Sequence, residues 1–97
     1  MEEKKIPDIW DVNFINFING LGLECLMALG KLENPVTKKK ESDLRQARYV
    51  IDTLDMLREK TKGNLAEDEQ KILDEMLVYL KMLFVEVNQE GKDTSND

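Results

Sequence analysis

A chain of 97 residues, 41% of them apolar, has room for one core of ordinary size and not for two, and it is too apolar to be wholly disordered. Its 20 acidic and 14 basic residues leave a net charge of −6, which argues against nonspecific binding to nucleic acid or an anionic membrane surface, since both need excess Lys and Arg. The absence of histidine, with one cysteine and two serines, removes most catalytic triads, most zinc sites and any intrachain disulfide.

The chain opens Met1-Glu2-Glu3-Lys4-Lys5-Ile6-Pro7-Asp8, with acids and a proline where a secretory signal has a basic start and an apolar run. Residues 1–10 are therefore taken as an N-terminal arm, and the protein is expected in the cytoplasm. From Val12 to Gly30, twelve of nineteen residues are hydrophobic and only Glu24 is charged. That density suggests a membrane span, but Asn13, Asn16, Asn19, Glu24 and three glycines interrupt it, and it is short for a bilayer. A soluble helix from about Asn13 to Leu29 is expected instead, capped by Asp11 or Asn13 and stopped at Gly30. Ile9 and Trp10 are placed to fold back as a staple on its first turn. Cys25, in apolar company with no neighbouring cation or base, reads as an inert core residue.

Pro35 then forces an extended break, so Asn34-Pro35-Val36-Thr37-Lys38-Lys39-Lys40 reads as a turn and loop. A second helix starts at Ser42 or Asp43. Leu44, Ala47, Ile51 and Leu54 recur at three- and four-residue steps, and Val50 and Leu57 widen the stripe. Arg45, Arg48, Asp52, Asp55 and Glu59 take its wet face. The helix ends at Lys62-Gly63, where glycine adopts the left-handed conformation of a cap.

For the third helix, Asn64 with Glu67 three residues on makes a capping box, or Leu65 and Ala66 extend the turn by a residue or two. Glu67, Asp68 and Glu69 fall in the first turn, where the helix dipole favours negative charge. Ile72, Leu73, Met76, Leu77, Leu80, Leu83, Phe84 and Val87 supply a wide apolar face, and the short connection makes the second and third helices an antiparallel hairpin. The polar run from Asn88 to Asp97 cannot bury itself. Residues 89–97 are thus expected to fray, leaving 11–88 as the helical domain. No segment alternates as a strand would, so the fold class is all-α, a three-helix arrangement.

The first helix is too apolar for its partners. At about 100° per residue, Asn13, Asn16, Gly20, Glu24 and Lys31 share roughly a quarter of the circumference, and most of the remainder is hydrophobic. A hairpin of two amphipathic helices covers one side of it and would leave about 400–600 Å² of apolar surface, at or above the largest patch usual on a monomer. A homodimer with first helices at its centre follows as the expectation. Phe14, Phe17, Ile18, Leu21, Leu26 and Leu29 would carry the contact, against residues drawn from Ile51, Leu54, Met76, Leu80 and Phe84. Gly20 and Gly22 mark either a close helix approach or a kink, since mid-helix glycine costs up to ~1 kcal/mol relative to alanine.

Candidate chemistry is sparse, and each candidate has a simpler explanation. Gly20-Leu21-Gly22 lacks the preceding strand and third glycine of a dinucleotide fingerprint. Consecutive carboxylates at Glu67, Asp68 and Glu69 point in different directions, so they serve the helix end rather than a cation. Asp52 and Asp55, with Arg48 and Lys60, read as exposed charge pairs, and Lys38-Lys39-Lys40 as a solvated loop. Thr61 and Asn64 satisfy a turn. Met27, Met56, Met76 and Met82 are taken as irregular core filling in preference to a surface for varied helices. No catalytic, cofactor-binding or metal-binding residue is assigned, and no cofactor is expected.

The run Asp43-Leu44 through Ala47, Ile51-Asp52, Leu54, Leu57 and Lys60-Thr61-Lys62-Gly63-Asn64-Leu65 closely resembles a bacterial family known as domain of unknown function 1844. The upstream Phe14-to-Gly30 segment and Asn34-Pro35-Val36-Thr37 look like that family's apolar first helix and connecting loop. The likeness covers about residues 10 to 87. It implies a small intracellular bacterial protein of helical fold with no assigned enzymatic activity. Members commonly have threonine where this chain has Ala66. That departure removes one cap for the third helix and points to Asn64.

The functional expectation is a non-enzymatic, cytoplasmic protein that binds itself and acts through protein–protein contacts, with no nucleic-acid partner. The alternatives are an acidic adapter for a basic partner, such as a translation-associated protein, and a membrane-associated protein using the first helix.

Overall fold

The computed structural model describes residues 10–95, and their side chains as far as 90. Three helices, α1 (Phe14–Ala28), α2 (Leu44–Lys60) and α3 (Glu67–Ser95), all touch one another, and no strand occurs among the described residues. The fold is all-α, as expected.

Asn13 caps α1: its backbone is extended and its side chain accepts the Asn16 N–H at 2.8 Å. The helix stops at Gly30, whose φ of 76° opens the left-handed turn. The Gly30 N–H donates to the Met27 carbonyl at 3.0 Å and the Lys31 N–H to that of Leu26 at 2.9 Å. Two carbonyls orphaned by the helix end are thereby satisfied. Trp10 is largely exposed instead of folded down as a staple, and Ile9, like most of the expected arm, lies outside the described residues.

The loop to α2 is tied at its neck, where the Asp43 N–H donates to the Ala28 carbonyl at 2.7 Å and Leu29 pairs with Ser42. At its tip, the Asn34 side chain accepts the Val36 N–H at 2.8 Å, wrapping the turn around Pro35. Asp43 is the α2 cap, accepting the Gln46 N–H at 3.2 Å. The far end closes when the Thr61 hydroxyl donates to the Leu57 carbonyl at 2.7 Å and Gly63 takes φ 78°.

Of the two alternatives for the start of α3, the structure shows the one in which Leu65 and Ala66 extend the turn. The capping box does not use Asn64. The first helical hydrogen bond runs from the Gln70 N–H to the Ala66 carbonyl at 2.9 Å, and Glu69 reaches back to accept the Ala66 N–H at 2.8 Å. Ala66 is therefore the cap position, two residues further on, because the Asn64 N–H is spent closing the turn onto the Thr61 carbonyl at 2.8 Å. This is half a capping box: the glutamate side is made, and alanine has no oxygen for the other. Past Val87 the helix continues to Ser95. Asn88 through Glu90 contain no breaker, Gln and Glu sustain helix without needing burial, and Gly91 is carried within it at that residue's usual cost.

The helices alternate in direction. Cys25 meets Ala47 and Glu24 meets Gln46 across α1 and α2, while Asp55 meets Lys81 and Arg58 meets Asp74 across α2 and α3. The common core is Ile18, Cys25, Ala28 and Leu29 from α1 and its end, Ala47, Val50, Ile51 and Leu54 from α2, and Leu73, Leu77, Leu80 and Leu83 from α3. No helix among the described residues is long and apolar enough to cross a membrane. At 15 residues, α1 spans only about 22 Å of a ~30 Å hydrocarbon layer.

Candidate functional site

The six residues expected to carry self-contact are divided by the fold. Ile18 and Leu29 are fully buried within the chain's own core, so neither is available to a second copy. Phe14, Leu21 and Leu26 are partly buried against that core, and Phe17 stays 57% exposed. Of their expected counterparts, Ile51, Leu54 and Leu80 are buried as well, while Met76 and Phe84 remain partly open. α2 and α3 thus take the Ile18, Gly22, Cys25 and Ala28 face of α1 into the core, and leave Phe17 and Leu23 more than half exposed on the same helix.

Part of what remains exposed lies along α1 and α3. A groove of about 760 Å³ runs there, walled by Leu23 and Leu26 from α1 and by Ile72, Met76, Tyr79 and Leu80 from α3. Asn16, Asn19 and Glu75 line it as polar members. Beside the groove stands a ridge that the sequence pattern did not reveal. Val78, Met82 and Val85 follow one another at four- and three-residue steps on the outer face of α3. With Tyr79 they retain 50–69% of their surface, which is unusual for four large apolar side chains on one stripe.

This arrangement corrects the methionine assignment. Met82 stands on the ridge and Met56 on α2, both about half exposed; Met27 is partly buried at the hollow under the α1–α2 loop, and Met76 fills a specific gap. That gap exists because residue 22 is glycine. A Cβ there would lie 3.2 Å from the Met76 sulfur, so Gly22 marks close approach of α3, and α1 runs on unbroken. Gly20 has no such reason: nothing lies within 4 Å of where its Cβ would be.

The polar groups form ordinary surface pairs. Asp55 is bound by Lys81 at 3.1 Å and by Arg58 at 3.7 Å, in place of the expected Lys60, while Arg48 pairs with Asp52 at 3.7 Å. All are substantially exposed and stabilise little. Glu24 accepts from the Gln46 side chain at 3.2 Å. Cys25 is buried, its thiol donating to the Ala47 carbonyl at 3.7 Å. Burial, reinforced by the Glu24 carboxylate, pushes that thiol up from 9.0 to about 11, which keeps it protonated and unreactive at neutral pH. Among the described residues, no three His, Cys, Asp or Glu side chains are grouped to hold a metal ion.

The molecule so defined is a small three-helix protein whose distinctive surface is an apolar groove and ridge. Residues 11–86 match the family described as Domain of unknown function (DUF1844), and the chain belongs to that family. No curated protein and no solved structure matches it.

Proposed function

We propose that this protein works by holding partners rather than by catalysis, and that its working form is a cytoplasmic assembly of the chain with itself. The observation supporting this reading is the exposed apolar face of α1 and α3. Val78, Tyr79, Met82 and Val85, together with the half-exposed Leu23, leave on the order of 500 Å² open, in the range of the largest patches on monomers. Covering that area on two copies at ~25 cal/mol per Å² contributes on the order of 25 kcal/mol, against an association cost of about 4–15 kcal/mol. Sedimentation velocity over a hundredfold concentration range tests the proposal. Mass rising to that of a dimer is expected; a folded monomer at every concentration would refute it.

An uneven charge distribution favours a second reading, an adapter for a basic protein. Residues 49–97 carry twelve acidic and six basic side chains, whereas 31–48 carry three and six. A basic partner held on the acidic part would be lost from co-purification as salt rises, and recovery unchanged at high salt would exclude this mode.

A further inference from the structure

The apolar face offers both a groove and an exposed ridge. On α3, Ile72 and Met76 point towards the groove, Val78, Met82 and Val85 form the ridge, and Tyr79 lies between the two in both rotation and height. A protein that recognised only foreign helices would need the groove alone. An exposed apolar ridge on the same helix that walls the groove lets each copy present both halves of an isologous contact.

We propose that the occupant of the groove is the ridge of a second copy. Val78, Met82 and Val85 of each chain fill the space between α1 and α3 of the other, about a two-fold axis passing close to Tyr79. This rests on the self-assembly reading above and names its surface. Size supports it. The exposed ridge, Leu23 and the groove walls together bring two copies to roughly 1,200 Å² of buried surface, the lower bound of a standard stable interface. Composition supports it too: an aromatic residue and methionines at the centre, with Asn16, Asn19 and Glu75 at the edge, is the usual order of apolar middle and polar rim.

The other hollows do not offer this. The one under the α1–α2 loop is lined by Glu24, Asn34, Glu41, Asp43, Arg45 and Gln46, a polar set. The one at Leu44, Tyr49 and Phe84 is lined for the rest by three charged residues, Arg45, Arg48 and Asp52.

The test uses the full chain with three substitutions at exposed positions, so that folding is preserved. Met82→Glu should leave the circular dichroism unchanged and weaken dimerisation at least 30-fold, while Tyr49→Glu, on α2, should leave the dimer intact. Tyr79→Cys should be joined to its counterpart by a short bis-maleimide in high yield, because each copy places it next to the axis; native Cys25 is buried and serves as the unlabelled background. A dimer that survives Met82→Glu and is not cross-linked through position 79 overturns this interface while leaving self-assembly standing. A wild-type chain that is monomeric throughout overturns both and assigns the face to a different protein.

Discussion

The incomplete cap of α3 offers a sharp test of how this chain is held together. Ala66 occupies the cap position, its N–H bound by Glu69 and its carbonyl bound by Gln70, yet its side chain can accept nothing. Replacing Ala66 with Ser supplies the missing acceptor for the N–H groups of Asp68 or Glu69. Exchanging a good cap for alanine typically costs ~1 kcal/mol, within a range of about 0.5–2. The gain here belongs in the lower half, because the Glu69 N–H already donates to the Asp68 carboxylate at 2.9 Å. Ala66→Ser is therefore expected to stabilise the fold by about 0.5–1 kcal/mol, raising the melting temperature by roughly 2–8 °C for a chain of this size. Asn64→Ala, by contrast, should stay within about 0.5 kcal/mol, as at an ordinary surface position. Urea unfolding followed at 222 nm, at one fixed protein concentration, measures both. If Asn64→Ala costs a full kilocalorie and Ala66→Ser changes nothing, the cap lies at Asn64 and the assignment from the hydrogen bonds is wrong.

Two further outcomes follow from side-chain surroundings. Gly20→Ala adds a methyl that meets nothing within 4 Å in the single chain and, at concentrations where the chain is monomeric, should stabilise α1 by about 0.5–1 kcal/mol, whereas Gly22→Ala must push the Met76 sulfur aside and should gain clearly less; equal effects in the same unfolding assay would refute the close approach at Gly22. Cys25 should resist a thiol-specific disulfide reagent at pH 8 until the protein unfolds, and rapid stoichiometric labelling of the folded chain would contradict its burial. The same raised thiol has a pH consequence: its contribution to stability is complete below 9.0, the unfolded value, and is lost as pH climbs through about 11, so the difference between wild type and Cys25→Ala should narrow over that window.

How far the sequence alone reached can be judged residue by residue. Asn13, Gly30, Asp43 and Gly63 were legible because each solves a local problem, an orphan N–H or a positive φ, with the residue type suited to it. Ala66 was not, because a cap set by the backbone leaves no side-chain signature when the residue filling it is alanine. The helix beyond Val87 is illegible for a related reason: polarity there signals loss of burial, not loss of helix. The division of α1 between core and surface was beyond reach in detail. Ile18 and Phe17 are adjacent and equally apolar, yet one is buried and the other mostly exposed, and only the placement of α2 and α3 decides between them. The ridge is illegible in the sequence because Val78, Met82 and Val85 lie opposite a stronger apolar stripe on the same helix, whose periodicity dominates the pattern.

The hydrogen bond from Asp43 to Ala28 divides the α1–α2 connection into a fixed collar and a free crown. The collar and the packed core between the two helices fix their distance and register, so the loop tip beyond it is not needed to hold them. Extending a loop whose ends are already fixed adds closure entropy only logarithmically, about 0.6 kcal/mol for each doubling of its length. Val36 and Thr37, both exposed at the tip, are thus where this chain is open to growth. An inserted epitope, a fluorophore or a whole guest domain can enter at that point, and the bundle below has no physical means of registering its arrival.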